Sequence, residues 1–336
     1  MLVKQFGRDV GIGFAGSVDT DTAVAHRVIC DGLSAGKHVV NLNAVSEAAL
    51  GVFYKNLAEI YSVGAGDEPA ATLELVEFCE KLNLKVICAG KGKNNPMNVR
   101  AIPDDFFEMG KAKNLNPQSV ASFVDGTRTM LEMAILSNAT GWPIDKPGMH
   151  GVSVNVDTLT STFVPKKDGG ILDSFPVIDF GIGDIAPGVF VIFTTDQQSI
   201  IDELLYLKMK GGPYFYLYKP YHLGNIEAPL SIHSILSDKK PSLVIKDKFV
   251  TMVCVKAKKD LKAGEVLDTA GGYTFYGFSI SAGEAERKAY VPLALAEKAT
   301  VLKDIKAGEL ITFADLKLDE SRGLLAAWEE QKRLLG

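Results

Sequence analysis

The run Gly90-Lys91-Gly92-Lys93-Asn94-Asn95-Pro96 sets two cations and two amides among glycines and a proline. That combination suits a small anionic molecule: ammonium groups supply charge, amides supply orientation, and glycine lets the backbone come close. Lys91 and Lys93 are candidates to hold or protonate a substrate oxygen, with Asn94 and Asn95 fixing its position. Asp67 and Glu68 follow Gly64-Ala65-Gly66 in a second polar run. Further along stand Asp125, His150, Lys208 and His222. Asp125 either caps a helix over Thr127–Asn138 or lends its carboxylate to a proton relay with the two lysines. His150, between Met149 and Gly151, faces a site or serves as a hydrogen-bonded structural residue. Lys208 stands near the end of an expected helix, Gln197–Lys210, where the helix dipole alone accounts for a cation. Lys219, Tyr221 and His222 close an aromatic strand, Tyr214–Tyr218. Cys30, Cys79, Cys88 and Cys254 are scattered, with no C-x-x-C pair and no histidine at ligand spacing, so reduced thiols are expected and a zinc site is not. No carboxylate cluster stands out as a metal site.

These residues need a frame, and the first third of the chain supplies a rhythm. Val10–Ala15 is a short apolar run ending in Gly16-Ser17. Asp19 or Asp21 then caps a helix to about Leu33, and Gly36 stops it. A strand at Lys37–Asn43, a helix at Ser46–Ile60, a strand at Tyr61–Ala65 and a helix at Glu68–Leu82 follow, with Asp67 at the cap and Pro69 in its first turn. A fourth strand is expected at Lys85–Ala89. Strands alternating with helices predict an α/β class with a parallel sheet. Ligands of such sheets sit beyond the carboxyl ends of the strands. Here those ends carry Gly16 and Ser17, Asn41 and Asn43, Gly66 to Glu68, and the Lys91–Asn95 run.

Gly11-Ile12-Gly13-Phe14-Ala15-Gly16 spells the dinucleotide-binding G-x-G-x-x-G. The chemistry behind that motif requires a buried strand before it and a helix after it. Lys4, Gln5, Arg8 and Asp9 interrupt the preceding stretch, and the glycines alternate with apolar residues as a strand would. The next strand ends in asparagine, not in the acidic residue that holds a ribose hydroxyl.

With 36 basic and 41 acidic residues the net charge is −5, and no stripe of cations marks a surface for nucleic acid or anionic membrane. The hydrophobic fraction of 47% argues for a packed globular chain and against disorder. The opening residues read as neither a signal peptide nor a membrane span, and a cytoplasmic location is expected. Near the end, Lys259-Asp260-Leu261-Lys262-Ala263-Gly264-Glu265-Val266 recurs as Lys303-Asp304-Ile305-Lys306-Ala307-Gly308-Glu309-Leu310. Only two aliphatic positions differ, so one β-turn unit is used twice. Ser321–Leu335 reads as an amphipathic helix.

Gly36-Lys37-His38-Val39-Val40-Asn41-Leu42-Asn43 resembles a segment of homoserine dehydrogenases. The likeness extends through Ala65–Pro69, Ala89–Pro96, Ser122–Thr127, Gly148–Gly151, Asp184–Phe190 and Leu207–Met209 to Tyr218–Leu223. Together these motifs resemble the homoserine-dehydrogenase-like proteins with a C-terminal SAF domain, a group that includes the deoxyxylulose-phosphate reductoisomerase-like (DRL) enzymes. The resemblance implies a partial Rossmann-like sheet over residues 1–90, an α+β substrate and catalytic domain over 91–245, an SAF-type β-clip over 246–319 and a closing helix over 320–336. Relatives usually carry a further βαβ unit and the glycine fingerprint ahead of this point. Homoserine dehydrogenases also place a lysine where this chain has Ala44.

By resemblance the chain is an oxidoreductase using NADP or NAD on a small anionic polyol, keto or aldehyde compound, with or without isomerisation, and it forms a homo-oligomer. Lys91, Lys93, Asp125 and Lys208 would be catalytic. Asn94, Asn95, Asp67, Glu68, His150 and His222 would bind substrate, and Gly16, Ser17, Asn41, Asn43 and Gly66 the cofactor. The alternative is a non-redox relative that binds small molecules or acts in assembly.

Overall fold

The computed structural model describes residues 12–15, 21–57 and 60–335. Three strands form a parallel sheet in the order β1 (Ile12–Ala15), β2 (His38–Asn41), β3 (Tyr61–Val63). Helices α1 (Thr22–Ser34) and α2 (Ala44–Lys55) connect them. Asp21 caps α1 by accepting from the Ala23 and Val24 amides, and Asn43 caps α2 by accepting from Ser46. Ile12–Ala15, the middle of the glycine motif, is strand. Gly16 and Ser17 lie outside the described residues.

Helix α3 (Glu68–Lys81) begins at Asp67, with Pro69 in its first turn. It leads into β4 (Lys85–Lys93), and here the sequence expectation needs two corrections. β4 does not extend the parallel sheet. It is the centre of a second, mixed sheet, together with β5 (Val152–Ser153), β6 (Val177–Ile182), β7 (Val189–Thr194) and β8 (Tyr214–Lys219), in the order β5-β6-β4-β7-β8. β4 runs parallel to β6 and antiparallel to β7. The strand also continues through Lys91 and Lys93, which the sequence reading places in a loop, so a domain boundary at residue 90 would cut it. Glycine drives that misreading, yet here it serves close packing. A Cβ on Gly90 would stand 1.8 Å from the Asp179 carbonyl oxygen, and one on Gly92 would stand 2.4 Å from that of Ile185.

Helices α3 and α5 (Thr127–Thr140), the latter preceded by α4 (Pro117–Val124), pack against each other and on the mixed sheet. Every residue of α5 is buried, so it is a central helix. One continuous core joins Leu50, Met130, Met133, Phe180, Phe193 and Val255. A second core on the far face of the mixed sheet packs Cys88, Val177, Phe190 and Ile192 against Phe163 and Leu172. Helix α6 (Gln198–Tyr206) is shorter than expected, and α7 (Gly224–Asp238) follows β8.

The C-terminal portion holds the antiparallel pairs β9 (Thr251–Ala257) with β10 (Phe275–Ser281) and β11 (Thr300–Val301) with β12 (Leu316–Lys317), then α8 (Leu324–Leu335). The duplicated units pair with each other. Leu261 bridges Ile305 with reciprocal backbone hydrogen bonds of 2.8 and 3.0 Å. Lys262 Nζ and the Ala263 amide meet Asp304, while Lys306 Nζ and the Ala307 amide meet Asp260. A repeated sequence thus yields a locally two-fold arrangement. Among the described residues no helix is long and apolar enough to cross a membrane.

Candidate active site

Alternation along β4 points Lys91 and Lys93 toward the layer of α3 and α5. Lys91 Nζ lies 2.5 Å from Glu68 Oε1, at the first residue of α3, and also bonds Glu132 Oε2 in the middle of α5. One turn earlier on α5, Arg128 Nε donates to Glu132 Oε1 at 2.5 Å, and its guanidinium stands 3.9 Å from Asp67. His222, beyond β8, brings Nε2 to 3.3 Å from Glu68 Oε1. Asp67, Glu68, Lys91, Arg128 and Glu132 are all buried, Glu132 completely. Four separate stretches of chain therefore converge on one polar cluster inside the protein.

Burial this deep is tolerable only because opposite charges are matched at hydrogen-bond distance. Burial would raise Glu68, but Lys91, His222 and Arg128 outweigh it and hold its carboxyl well below the usual range. Burial would lower Lys91, but Glu132 and Glu68 keep it firmly protonated. Asp67 goes the other way: burial and its neighbour Glu68 push it well up against the pull of Arg128, favouring the protonated acid. A charged carboxylate thus sits beside a carboxyl that favours its proton, the division of labour that acid–base sites use.

Lys93 is different. It is buried, and its Nζ donates to the Asn95 carbonyl at 2.7 Å. Among the described residues it has no carboxylate partner within ion-pair distance. Burial, with the charge of Lys91 nearby, lowers it to about 8, while Asp125 and Glu132 pull the other way. An amine poised there gives or takes a proton near neutrality.

The carboxylate oxygens of Asp67, Glu68 and Glu132 come within 4.8 Å of one another. The sequence alone singles out no such cluster; the full burial of α5 brings Glu132 into it. The arrangement does not fit a divalent ion, since the Lys91 ammonium already bridges Glu68 and Glu132 and Arg128 takes the remaining Glu132 oxygen. Arg128 was also missed. Its spacing of four residues from Glu132 was the available signal.

Other expected residues lie elsewhere. Asp125 is buried, accepts the Thr127 amide at 2.8 Å as a cap would, and pairs with Lys258 at 2.7 Å. Asn94 and Asn95 are exposed in the turn after β4. His150 does not join the cluster. Its Nε2 meets Asp145 at 2.9 Å, and its amide donates to Asp179, which alternation places on the face of the mixed sheet opposite Lys91. Lys208 is exposed, in a left-handed turn beyond the end of α6, and forms no ion pair with the cluster. Asn41 is engaged inside the core, donating to Glu47 at 3.1 Å and Tyr61 at 2.7 Å, so it is not free for a cofactor. Asn43 caps α2, and Gly66 takes a left-handed turn packed against Glu227.

A cavity of about 250 Å³ adjoins the cluster. Arg128 and Thr127 form one wall, Asn43 to Val45 and Asp21 another, and Thr269 and Lys298 of the C-terminal portion a third. The first residues of α1, α2 and α5 border it, so their positive dipole ends favour an anion there.

Residues 66–228 match the family model of the catalytic domain of oxidoreductase DRL. This stretch is similar to a DRL-type oxidoreductase catalytic domain. The matched stretch takes in Asp67, Glu68, Lys91, Lys93, Arg128, Glu132 and His222, the whole charged cluster with Lys93 beside it. The three-stranded parallel sheet and the C-terminal portion fall outside it. No curated protein matches the sequence. Among solved structures, yvaA of Bacillus subtilis, provisionally described as an oxidoreductase, is 13% identical over 71% of this chain and 75% of that one, with a TM-score of 0.28. A similarly described protein of Bacteroides fragilis is 12% identical over 72% and 75%, with a TM-score of 0.26.

Proposed function

We propose that the chain interconverts a small anionic carbonyl compound and its alcohol, with NADP or NAD as the redox partner. The observation that carries this reading is Lys93, a buried amine titrating near neutrality beside a charge-matched cluster within a stretch similar to an oxidoreductase catalytic domain. Bound nicotinamide would supply or accept the hydride. Lys93 would give a proton to the carbonyl oxygen in one direction and take it back in the other. Lys91 acts as a fixed positive charge, because two carboxylates hold it too tightly for it to act as acid or base. Arg128, whose Nε is taken by Glu132, would offer its outer nitrogens to a carboxylate or phosphate in the cavity. Exposed Asn94 and Asn95 would fold over the substrate.

At about 250 Å³ the cavity is smaller than the ~300–1,000 Å³ that encloses drug-sized ligands. It suits a small acid, or one end of a cofactor whose remainder lies along α1 and α2. Fluorescence titration of the purified chain with NADH and NADPH tests the reading. Micromolar binding, shifted by small keto acids or sugar phosphates, is the expected result; no binding up to millimolar cofactor would overturn it.

A further inference from the structure

Lys258 follows β9, outside the stretch similar to the DRL catalytic domain, yet its ammonium is buried and fully partnered by groups from three parts of the chain. It lies 2.7 Å from Asp125 Oδ2, 2.7 Å from the Ala101 carbonyl and 2.7 Å from the Gly272 carbonyl. Its side chain is 2% exposed and that of Asp125 is 0% exposed, so water screens none of these contacts. Each partner has a consequence for the site. Ala101 ends the loop that begins directly after Lys93, and that loop is otherwise tied by the Asn98 amide to the Val124 carbonyl at 2.9 Å. Asp125 accepts the Thr127 amide at the start of α5, the helix that delivers Arg128 and Glu132. Gly272 belongs to the loop that brings Thr269 to the cavity wall.

The surrounding contacts make this junction tight. Gln118 Nε2 donates to Thr269 Oγ1 at 2.6 Å and to the Ala270 carbonyl at 2.9 Å, and the Gly277 amide donates to Thr127 Oγ1 at 2.8 Å. A Cβ on Gly271 would fall 2.2 Å from the Gln118 carbonyl oxygen, so the two backbones meet directly.

We infer that Lys258 is a positioning residue of the active site: by gripping Asp125, Ala101 and Gly272 together, it fixes the loop after Lys93 and the start of α5, which makes the C-terminal portion part of the catalytic apparatus. The inference rests on the reading of Lys93 as the proton-transfer group, but its test needs neither cofactor nor substrate.

Lys258→Met, Lys258→Gln and Lys258→Arg chains are pulse-labelled with acetic anhydride under conditions where each is folded by circular dichroism. Acetylation of Lys93 is read by mass spectrometry against exposed Lys208 as internal standard. The methionine variant should label Lys93 roughly ten-fold faster, as a local opening would allow. Arginine, which can still donate to all three acceptors, should restore the slow rate. A merely structural role would lower the unfolding midpoint and leave Lys93 labelling in the folded chain unchanged, and that result overturns the inference. Should Lys258→Met fail to fold, Lys258→Gln is judged by the same two outcomes. Failure of the cofactor titration with accelerated labelling here would sink the oxidoreductase reading and leave the positioning role intact.

Discussion

Glu132 binds Lys91 with one carboxylate oxygen and Arg128 with the other, in the middle of a fully buried helix, α5. The strand residue and the helix residues are far apart in sequence, and each is far too polar for its depth alone. Together they form a neutralised knot that fixes α5 against β4. Lys93, on the same face of the strand, is left outside that knot with its proton labile.

Glu132→Ala leaves two buried cations short of a counter-charge. It should cost about 3–5 kcal/mol of stability, the range for breaking a buried pair from one side. Urea unfolding measures this. Lys93→Ala, which removes one hydrogen bond to a carbonyl, should cost about 1 kcal/mol. Equal losses in the two variants would contradict the division between a structural Lys91 knot and a chemical Lys93.

Lys93 also leaves a signature in stability against pH. Its folded value of about 8 lies below the ordinary 10.5, so between those values the unfolded chain holds more protons. Stability therefore gains from this residue as pH rises from about 8 toward 10.5, and loses that gain as pH falls through 8. Subtracting the stability curve of Lys93→Met from that of the wild type should isolate this rise. A flat difference would show that Lys93 titrates as an ordinary lysine.

Glu47, at the first turn of α2, accepts hydrogen bonds from Tyr61 and Asn41 on one oxygen, while its buried Oε1 has no partner. Burial raises it to about 7, with Tyr61 and Asn41 opposing. A raised folded value means its stabilisation is whole below about 4.5 and lost as pH rises through 7. Glu47→Gln keeps an acceptor for Tyr61 and Asn41 without the charge. Near pH 8 it should gain on the order of 2–3 kcal/mol over the wild type, and little or nothing near pH 4.5. Thermal unfolding at the two pH values decides it; a gain independent of pH would refute the assignment.

Gly90→Ala should abolish folding, because the new methyl would meet the Asp179 backbone and not a side chain able to move aside. Gly264→Ala has open space around it but a left-handed backbone, and should cost only about 1 kcal/mol. Soluble yield and unfolding midpoints of the two variants separate close packing from turn strain. A well-folded Gly90→Ala would mean that β4 and β6 are not packed as described.

The local elements were largely legible. The Asp21 cap, the start of α3 after Asp67 and the repeat near the end follow from short-range rules, and each appears where those rules put it, although Asp67 makes no capping hydrogen bond. Sheet partnership did not follow, because nothing local to Lys85–Ala89 says whether it joins β3 or β6. The glycines of Gly90-Lys91-Gly92-Lys93 carried opposite meanings, turn or close approach, and only the neighbouring backbone decides between them. Lys91, Lys93, Asp67 and Glu68 stood out by composition, and the fold brings them together with Glu132. Arg128 and Lys258 did not stand out, since a charge on a helix or after a strand usually faces water, and burial is a property of the assembled layers.

The most direct measurement follows nicotinamide absorbance while NADPH or NADH is mixed with small anionic aldehydes and keto acids, wild type beside Lys93→Met. Turnover by the wild type, falling about 10²–10⁴-fold in the variant while cofactor binding is kept, is the expected result. Equal turnover in both chains would contradict the assignment of proton transfer to Lys93.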